Sequence, residues 1–270
     1  MTVRPQVIAH RGASADEPEH TLAAYTEAIQ AGADGLECDV RLSADGHLVC
    51  VHDRKVQRTS NGRGLVSTLE LTQLEGLDWG SWKALERRVE RDGTPEDEVP
   101  DVVSRDDRAH LLTLRRLLAL VAGADRRVEV VVETKHPTRY GGLVERRLVE
   151  LLSEFGWADD AAGPITVMSF SMLAVRRMRQ LAPAIPRVFL MERVPLPFRD
   201  GSLPPGVSTA GVAVEILRDH PSYAERVHDR GHRLFVWTVD EPEDVELCLA
   251  AGADAIITNR PAEVLAQVGP

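Results

Sequence analysis

Residues 128–135 read Val128-Glu129-Val130-Val131-Val132-Glu133-Thr134-Lys135, a very apolar run that ends in charged side chains. Similar short apolar or β-branched runs recur along the chain, and segments with helical periodicity separate them. This alternation is typical of parallel strands joined by crossover helices. The sequence therefore predicts an α/β fold in which polar side chains gather at the carboxyl ends of strands.

The pattern predicts both kinds of element along most of the chain. Strands are expected at Val7–His10, Gly35–Val40, Leu48–His52, Val128–Glu133, Ile165–Phe170, Arg187–Met191, Ala210–Glu215, Arg233–Val239 and Ala255–Thr258. Helices are expected at Thr21–Ala31, Leu114–Ala122, Gly142–Phe155, Ser171–Leu181, Ser222–Asp229 and Pro242–Ala250. Thr21 and Ser171 are predicted to act as N-caps.

The strand pattern favours an eight-stranded (β/α)8 TIM-type barrel over a doubly wound sheet, because the chain has no glycine-rich phosphate-binding turn. One of the predicted strands must then lie outside the parallel set. Leu48–His52 is the candidate, because the tight-turn sequence Ser43-Ala44-Asp45-Gly46 can join only antiparallel strands. A hairpin without a bulge would pair Arg41 with the first residue of that strand, and hence Glu37 with His52 on one face.

The length of 270 residues and the hydrophobic content of 43% predict a single domain, residues 1–270, around one large core. The alternating pattern breaks down after the His52-Asp53 strand, which predicts an inserted cap or loop region at about residues 54–112. Leu65–Trp82 contains leucines and two tryptophans, so we expect it to pack over the barrel mouth. Asp92–Asp107 is densely charged and is expected to be solvated and mobile, with a loop of no particular role as the alternative.

Charge and composition argue against several classes of protein. The net charge of −10 argues against a nucleic-acid surface, so an anionic ligand must be bound by local positive groups. No apolar run is long enough for a signal segment or a membrane span, which predicts a cytoplasmic protein without stable membrane insertion. The three cysteines form no CxxC motif, so neither a disulfide framework nor a zinc site is indicated.

Acidic residues stand at two predicted strands. Glu37 and Asp39 are two residues apart and therefore share one face, and Glu133 occupies the end of another strand. Burying such carboxylates without a counter-charge is costly, so a metal ion or a lysine must compensate them. Three carboxylates predict a site for Mg²⁺ or Ca²⁺ rather than for zinc. In the simpler alternative, Lys135 pairs with one carboxylate as a structural contact.

Two of the nine histidines close apolar strands. His10 is followed by Arg11, and His52 is followed by Asp53. Because the ordinary pKa of histidine lies near neutrality, two such rings on opposite sides of a phosphorus atom can serve as acid and base. With Arg11 to neutralise a phosphate, this residue set is suited to metal-assisted cleavage of a phosphate ester. Six histidines in turns, loops or helix ends are set aside: His47, His110, His136, His220, His228 and His232.

Trp237 ends the predicted strand that contains Leu234-Phe235-Val236. At a barrel mouth it would offer an apolar wall to a small polyol or a choline-like group. Core packing is an equally good interpretation of this position. Ser169-Phe170 occupies an equivalent strand end and is expected to lie behind the residues that contact a ligand.

The chain resembles the glycerophosphodiester phosphodiesterase family in a set of motifs that follow the family's order over nearly the whole chain. Each motif is weak alone, but the ordered set is specific. The motifs are His10-Arg11-Gly12, Pro18-Glu19-His20-Thr21, Glu37-Cys38-Asp39-Val40, Asp45-Gly46, His52-Asp53, Glu133-Thr134-Lys135, Ser169-Phe170, Trp237-Thr238-Val239 and Ile256-Ile257-Thr258-Asn259.

The resemblance implies an α/β barrel that hydrolyses a small glycerophosphodiester to glycerol 3-phosphate and an alcohol. It implies metal binding by Glu37, Asp39 and Glu133, acid and base roles for His10 and His52, and phosphate binding by Arg11 and Lys135. Two positions depart from the family pattern, because His20 replaces a common asparagine and Asn259 a frequent aspartate.

Several alternatives stay open at this point. The nucleophile is either water or the neighbouring glycerol hydroxyl, which would give a cyclic phosphate first. His10 is favoured as the base and His52 as the acid. Rival functions are a lysophospholipase D-like activity on the same fold and a non-catalytic module that binds a phosphorylated polyol. The sequence indicates no oligomeric state.

Overall fold

The computed structural model describes residues 4–83 and 109–269, in which one nine-stranded sheet forms the centre of the molecule. Its strands are β1 (Gln6–His10), β2 (Gly35–Leu42), β3 (Leu48–Cys50), β4 (Glu129–Thr134), β5 (Ile165–Ser169), β6 (Arg187–Met191), β7 (Thr209–Ala213), β8 (Arg233–Trp237) and β9 (Ala255–Thr258). Eight are parallel and close into a barrel, since β1 pairs with both β2 and β9. β3 pairs antiparallel with β2, outside the barrel. The predicted barrel and its extra strand are confirmed.

Helices connect most of the strands. They are α1 (Leu22–Gln30), α2 (Leu71–Glu75), α3 (Leu114–Ala122), α4 (Leu143–Glu154), α5 (Met172–Leu181), α6 (Val214–Asp219), α7 (Ser222–Asp229), α8 (Pro242–Ala250) and α9 (Pro261–Val268). The Thr21 hydroxyl accepts from Ala24 N and the Ser171 hydroxyl from Ala174 N, so both predicted N-caps are confirmed. Among the described helices, none combines the length and hydrophobicity needed to cross a bilayer.

The predicted strand Ala210–Glu215 is too long at its carboxyl end. β7 stops at Ala213, which is the N-cap of α6. Val214, Ile216 and Leu217 are all buried in the outer core, so they follow helical spacing instead of alternating between sheet faces. Helices α2, α6 and α9 were not predicted, although the proline at the first position of α9 is a helix-start signal.

The predicted hairpin register between β2 and β3 is wrong by one residue. Arg41 pairs with Val49 rather than with the first residue of β3. Gly46 in the connecting loop has φ +88°, a left-handed conformation that glycine adopts readily, and the loop accommodates one more residue than a tight four-residue turn. The extra residue shifts every pair along the ladder. Glu37 and His52 are therefore not cross-strand partners.

The barrel interior is filled by apolar side chains, and charged side chains lie at the carboxyl ends of its strands. Ile8, Val131, Met168, Val188, Leu190, Phe235, Ala255 and Ile257 form a packed cluster inside the barrel. Because side chains alternate along a strand, the residues two positions after Ile8 and Val131 also point inward. These are His10 and Glu133, at the carboxyl ends of β1 and β4. The apolar cluster therefore packs directly against the charged groups at the carboxyl ends of the strands.

The first part of the predicted insertion packs against β3. Val49, Val51, Val56, Val66, Leu74, Trp79 and Leu111 form a separate buried cluster. The Trp79 ring is 5% exposed and its Nε1 donates to Leu74 O at 2.8 Å. Asp92–Asp107 lies outside the described residues. The single-domain assignment of residues 1–270 and the capping role of this insertion stay predictions.

Candidate active site and metal centre

Three carboxylates meet at the carboxyl ends of β2 and β4. Glu37, Asp39 and Glu133 are 1%, 1% and 5% exposed, and one oxygen of each lies within 4.8 Å of the others. Strand pairing explains the cluster, because Asp39 is aligned with Glu133 and Glu37 precedes it by two residues. Lys135 Nζ lies 2.7 Å from Glu133 Oε2 and 2.9 Å from Asp39 Oδ1.

Burial and mutual repulsion act unequally on these acids. Burial, followed by the charge of Asp39, raises the pKa of Glu37 well above its ordinary value and that of Glu133 to about 7. Burial also opposes ionisation of Asp39, but Lys135, His20 and Arg11 hold the pKa of Asp39 well below its ordinary value. Asp39 is therefore the centre of the negative charge.

The donor set suits a hard divalent cation. It consists of three carboxylates with no imidazole or thiolate among them, as Mg²⁺ and Ca²⁺ prefer. Burial, followed by the charge of Asp39, raises the pKa values of Glu37 and Glu133, and with all three acids ionised the cluster carries an excess of negative charge over Lys135 and Arg11, which contact it. An additional cation would relieve it.

Arg11 lies over this cluster in a left-handed conformation, with φ +59°. Its backbone N–H donates to Glu37 Oε2 at 3.2 Å, and its Nε lies 3.0 Å from Asp39 Oδ2. The next residue, Gly12, has φ +87°, and a Cβ there would lie 2.6 Å from the carbonyl carbon of Ala24. The glycine thus lets the β1–α1 loop lie directly on α1 while Arg11 faces the site.

His20 supports Asp39 from the side of α1. Its Nε2 lies 2.9 Å from Asp39 Oδ2, and its Nδ1 lies 2.8 Å from the Tyr25 hydroxyl. That hydroxyl donates to Glu37 O at 3.0 Å. Like Arg11, His20 has a positive φ, +60°, and these are the only non-glycine residues with positive φ in the described ranges. Both strained residues are therefore at the site.

The two predicted acid–base histidines have different partners. His10 Nδ1 lies 2.7 Å from the Asn259 side-chain oxygen, and its Nε2 lies 3.9 Å from Glu37 Oε2. Burial, with Arg11 nearby, lowers the pKa of His10 to about 3. His52 Nδ1 instead lies 2.7 Å from the carboxylate of Asp53.

Arg58 organises the His52 side of the site. Its Nε donates to Asp53 Oδ2 at 2.7 Å, and its Nη2 donates to Glu19 Oε1 at 2.7 Å. Although burial opposes ionisation, Arg58 lowers the pKa of both carboxyl groups, that of Glu19 to about 2. Asp53 is therefore an ionised acceptor for the ring of His52.

Comparison with known proteins identifies the family of this chain. A sequence model of the glycerophosphoryl diester phosphodiesterase family matches residues 10–263. The chain belongs to this family. It is 45% identical to the probable glycerophosphodiester phosphodiesterase 1 of Mycobacterium tuberculosis, over 95% of this chain and 90% of that protein. It is 31% identical to a glycerophosphodiester phosphodiesterase of Caldanaerobacter subterraneus, over 94% of each protein.

A solved structure shows the same fold. It is an Oleispira antarctica phosphodiesterase in complex with the product sn-glycerol-3-phosphate, with a TM-score of 0.80 and 24% identity over 98% of this chain and 97% of that one. At this identity the likeness concerns the barrel fold alone.

Trp237 of this family member lies at the barrel mouth. Its ring meets Phe170 edge-on, with 5.4 Å between centroids, and it lines a cavity of about 990 Å³ that extends between the loops after β6 and β7. The buried Trp237 Nε1 has no hydrogen-bond partner among the described residues. Its contact with ligand stays a prediction.

The sequence predicted the main side chains of this phosphodiesterase family site but not the residues that hold them in place. His20 and Asn259 were noted only as departures from the family pattern, and Asp240, Tyr25 and Arg58 were not singled out. Of the histidines set aside, His136 Nε2 lies 2.8 Å from the buried Glu145 Oε1. A polar residue directly after a strand end was the available signal for Asn259 and Asp240.

Proposed function

We propose that this protein hydrolyses glycerophosphodiesters to glycerol 3-phosphate and an alcohol. The observation that carries the proposal is the buried cluster of Glu37, Asp39 and Glu133, with Arg11 and Lys135 in contact with it. Membership of the family gives the class of diester. The acidic cluster and the two basic side chains supply what a phosphate ester needs: a cation site and fixed positive charge.

The three carboxylates would hold a divalent cation, Mg²⁺ or Ca²⁺, which when bound acts as a Lewis acid toward the nonbridging phosphoryl oxygens. Arg11 and Lys135 bind and orient the same oxygens, and their charge stabilises the phosphoryl group as negative charge builds on it. Asp39 keeps both basic groups in place through contacts of 3.0 Å and 2.9 Å.

His10 is the base in this proposal and His52 the acid. The neutral amide of Asn259 gives no charge to favour an imidazolium, so His10 is free to accept a proton at Nε2. Burial lowers the pKa of His52, and the hydrogen bond to the ionised Asp53 opposes that shift; as the acid, His52 carries a proton on each nitrogen and donates one to the departing alkoxide. The base takes its proton from water or from the neighbouring glycerol hydroxyl, and the appearance of a cyclic phosphate identifies the second route.

A panel of glycerophosphodiesters, from choline to glycerol, tests the proposal. We expect release of glycerol 3-phosphate that needs Mg²⁺ or Ca²⁺ and stops with a chelator. His10→Ala and His52→Ala should each lower kcat by roughly 10²–10⁴ and leave KM nearly unchanged. His47→Ala, in the exposed β2–β3 turn, is the matched control. Near-normal turnover in both site variants refutes the assignment, and binding without turnover favours a non-catalytic module.

A lysophospholipase D-like activity is the second candidate. Four large apolar side chains are exposed after β5 and β6: Phe170, which meets Trp237 edge-on, Met172 and Leu173 at the start of α5, and Leu196. An acyl chain could lie on them while the phosphate occupies the same polar centre. Comparing kcat/KM for lysophosphatidylcholine and for glycerophosphocholine separates the two, and we expect the water-soluble diester to be the better substrate.

A further inference from the structure

We propose that Asn259 and Asp240 are positioning residues that fix the neutral ring of His10 with its proton on Nδ1. This leaves the lone pair of Nε2 facing the carboxylate cluster. The inference rests on the proposed function for its kinetic consequence, but in the neutral ring the placement of the proton follows from hydrogen-bond chemistry.

Asp240 determines how the amide of Asn259 is turned. Asp240 Oδ1 lies 2.8 Å from Asn259 N and 2.9 Å from the Thr258 hydroxyl, and its Oδ2 lies 2.6 Å from the Asn259 side-chain nitrogen. A carboxylate can only accept hydrogen bonds. The NH2 group of Asn259 must therefore face Asp240, and its side-chain oxygen must point the opposite way.

The side-chain oxygen of Asn259 then determines the tautomer of His10. It lies 2.7 Å from His10 Nδ1 and 2.8 Å from the Ser14 hydroxyl. An amide oxygen only accepts, so Nδ1 must donate, and a neutral imidazole has a single N–H. Nε2 is therefore unprotonated, and it is the nitrogen that lies 3.9 Å from Glu37 Oε2.

The fold aligns this chain of contacts across the barrel mouth. Asp240 follows β8, Asn259 follows β9 and His10 ends β1, and β9 pairs with both neighbouring strands. The three residues therefore lie at, or within three residues of, the ends of adjacent strands. Asp240 acts through Asn259 and does not touch the ring.

Asp240→Asn is the sharpest perturbation. If the introduced amide keeps its oxygen toward Asn259 N and Thr258, its NH2 group replaces the second carboxylate oxygen and meets the NH2 group of Asn259. The Asn259 amide must then rotate and present NH2 to His10 Nδ1, which moves the ring proton to Nε2. A base whose lone pair points away from the substrate should lower kcat by roughly 10²–10⁴ with little change in KM.

The double variant Asp240→Asn/Asn259→Asp exchanges the carboxylate and the amide between the two positions and should rescue the Asp240→Asn variant. The carboxylate introduced by Asn259→Asp accepts from the new amide on one side and from His10 Nδ1 on the other, so the original tautomer should return. We expect kcat to recover at least about tenfold over the single variant, as for residues coupled through one contact. Asn259→Leu, whose side chain can neither donate nor accept a hydrogen bond, should not restore kcat when it is combined with Asp240→Asn.

Nitrogen-15 NMR of histidine-labelled full-length protein reads the tautomer directly, with the His10 signals assigned by their loss in His10→Gln. We expect a protonated Nδ1 in the parent protein and the double variant, and a protonated Nε2 in Asp240→Asn. Thermal melting confirms that each variant is folded. A folded Asp240→Asn protein that keeps Nδ1 protonated, or a folded double variant that does not regain it, overturns the proposal. Absence of diesterase activity would refute the proposed function, whereas the tautomer of His10 would still be decided by the NMR result.

Discussion

Replacing Glu133 by glutamine should stabilise the metal-free protein at alkaline pH. Burial and the charge of Asp39 raise the pKa of Glu133 from 4.5 to about 7. Between these pH values the folded protein binds a proton that the unfolded chain does not, so stability falls as pH rises through this window. Above pH 7 the full cost of ionising the buried carboxyl is present. Glutamine resembles the protonated form and cannot ionise.

The magnitude follows from the size of the shift. A change from 4.5 to about 7 corresponds to about 3 kcal/mol at 1.36 kcal/mol per pKa unit. No allowance for solvent screening is needed, because Glu133 is only 5% exposed. The glutamine oxygen can still accept the hydrogen bond from Lys135. At pH 8.5 the variant should melt roughly 6 °C higher than the parent, whereas at pH 4.5 the two should melt together.

Urea and thermal unfolding in the presence of a chelator, from pH 4.5 to 8.5, measure this difference. The matched control is Glu129→Gln on the same strand, where the carboxylate is 23% exposed and paired with Arg127. It should show no comparable gain at high pH. The reasoning is refuted if the Glu133→Gln advantage is absent or does not grow with pH. The same variant should lose activity, because it lacks one of the proposed metal ligands.

Three further predictions concern the supports of the site. Glu19, whose pKa Arg58 lowers to about 2 against the effect of burial, stabilises the fold above pH 4.5, and this contribution is lost as pH falls toward 2. Glu19→Gln should therefore cost about 3 kcal/mol at pH 7 and flatten acid unfolding, measured by urea titrations at several pH values. Gly12→Ala should lower stability by more than about 1 kcal/mol, because Gly12 has φ +87° and no room for a Cβ, and an unchanged melting temperature contradicts this. Asp53→Asn should move the alkaline limb of the kcat–pH profile to lower pH, since the His52 imidazolium loses its carboxylate partner; a shift to higher pH opposes the acid role of His52.

The barrel and its charged mouth were predictable because strand periodicity fixes which side chains share a face. Val131 and Glu133 are two apart, so once the first packs inside the barrel the second must also point inward. The same rule places Glu37 beside Asp39. Hydrophobic burial thus determines where these carboxylates lie, and the motifs indicate what they do.

The hairpin and the supporting residues depend on loop geometry that periodicity does not determine. A single additional residue, with Gly46 at φ +88°, shifted the β2–β3 register. His20 contacts Asp39 from a left-handed backbone, and Asp240 contacts Asn259 because the two residues follow the paired strands β8 and β9. Such contacts join loops far apart in sequence, so no local pattern specifies them.

The location of a bound divalent cation is the most direct test of the account. Crystals grown with Mn²⁺ and measured by anomalous diffraction would place it. We expect one ion bonded, at roughly 2.0–2.6 Å, to an oxygen from each of Glu37, Asp39 and Glu133. An ion bound elsewhere, with these three side chains still in contact only with Lys135 and Arg11, would contradict the central claim.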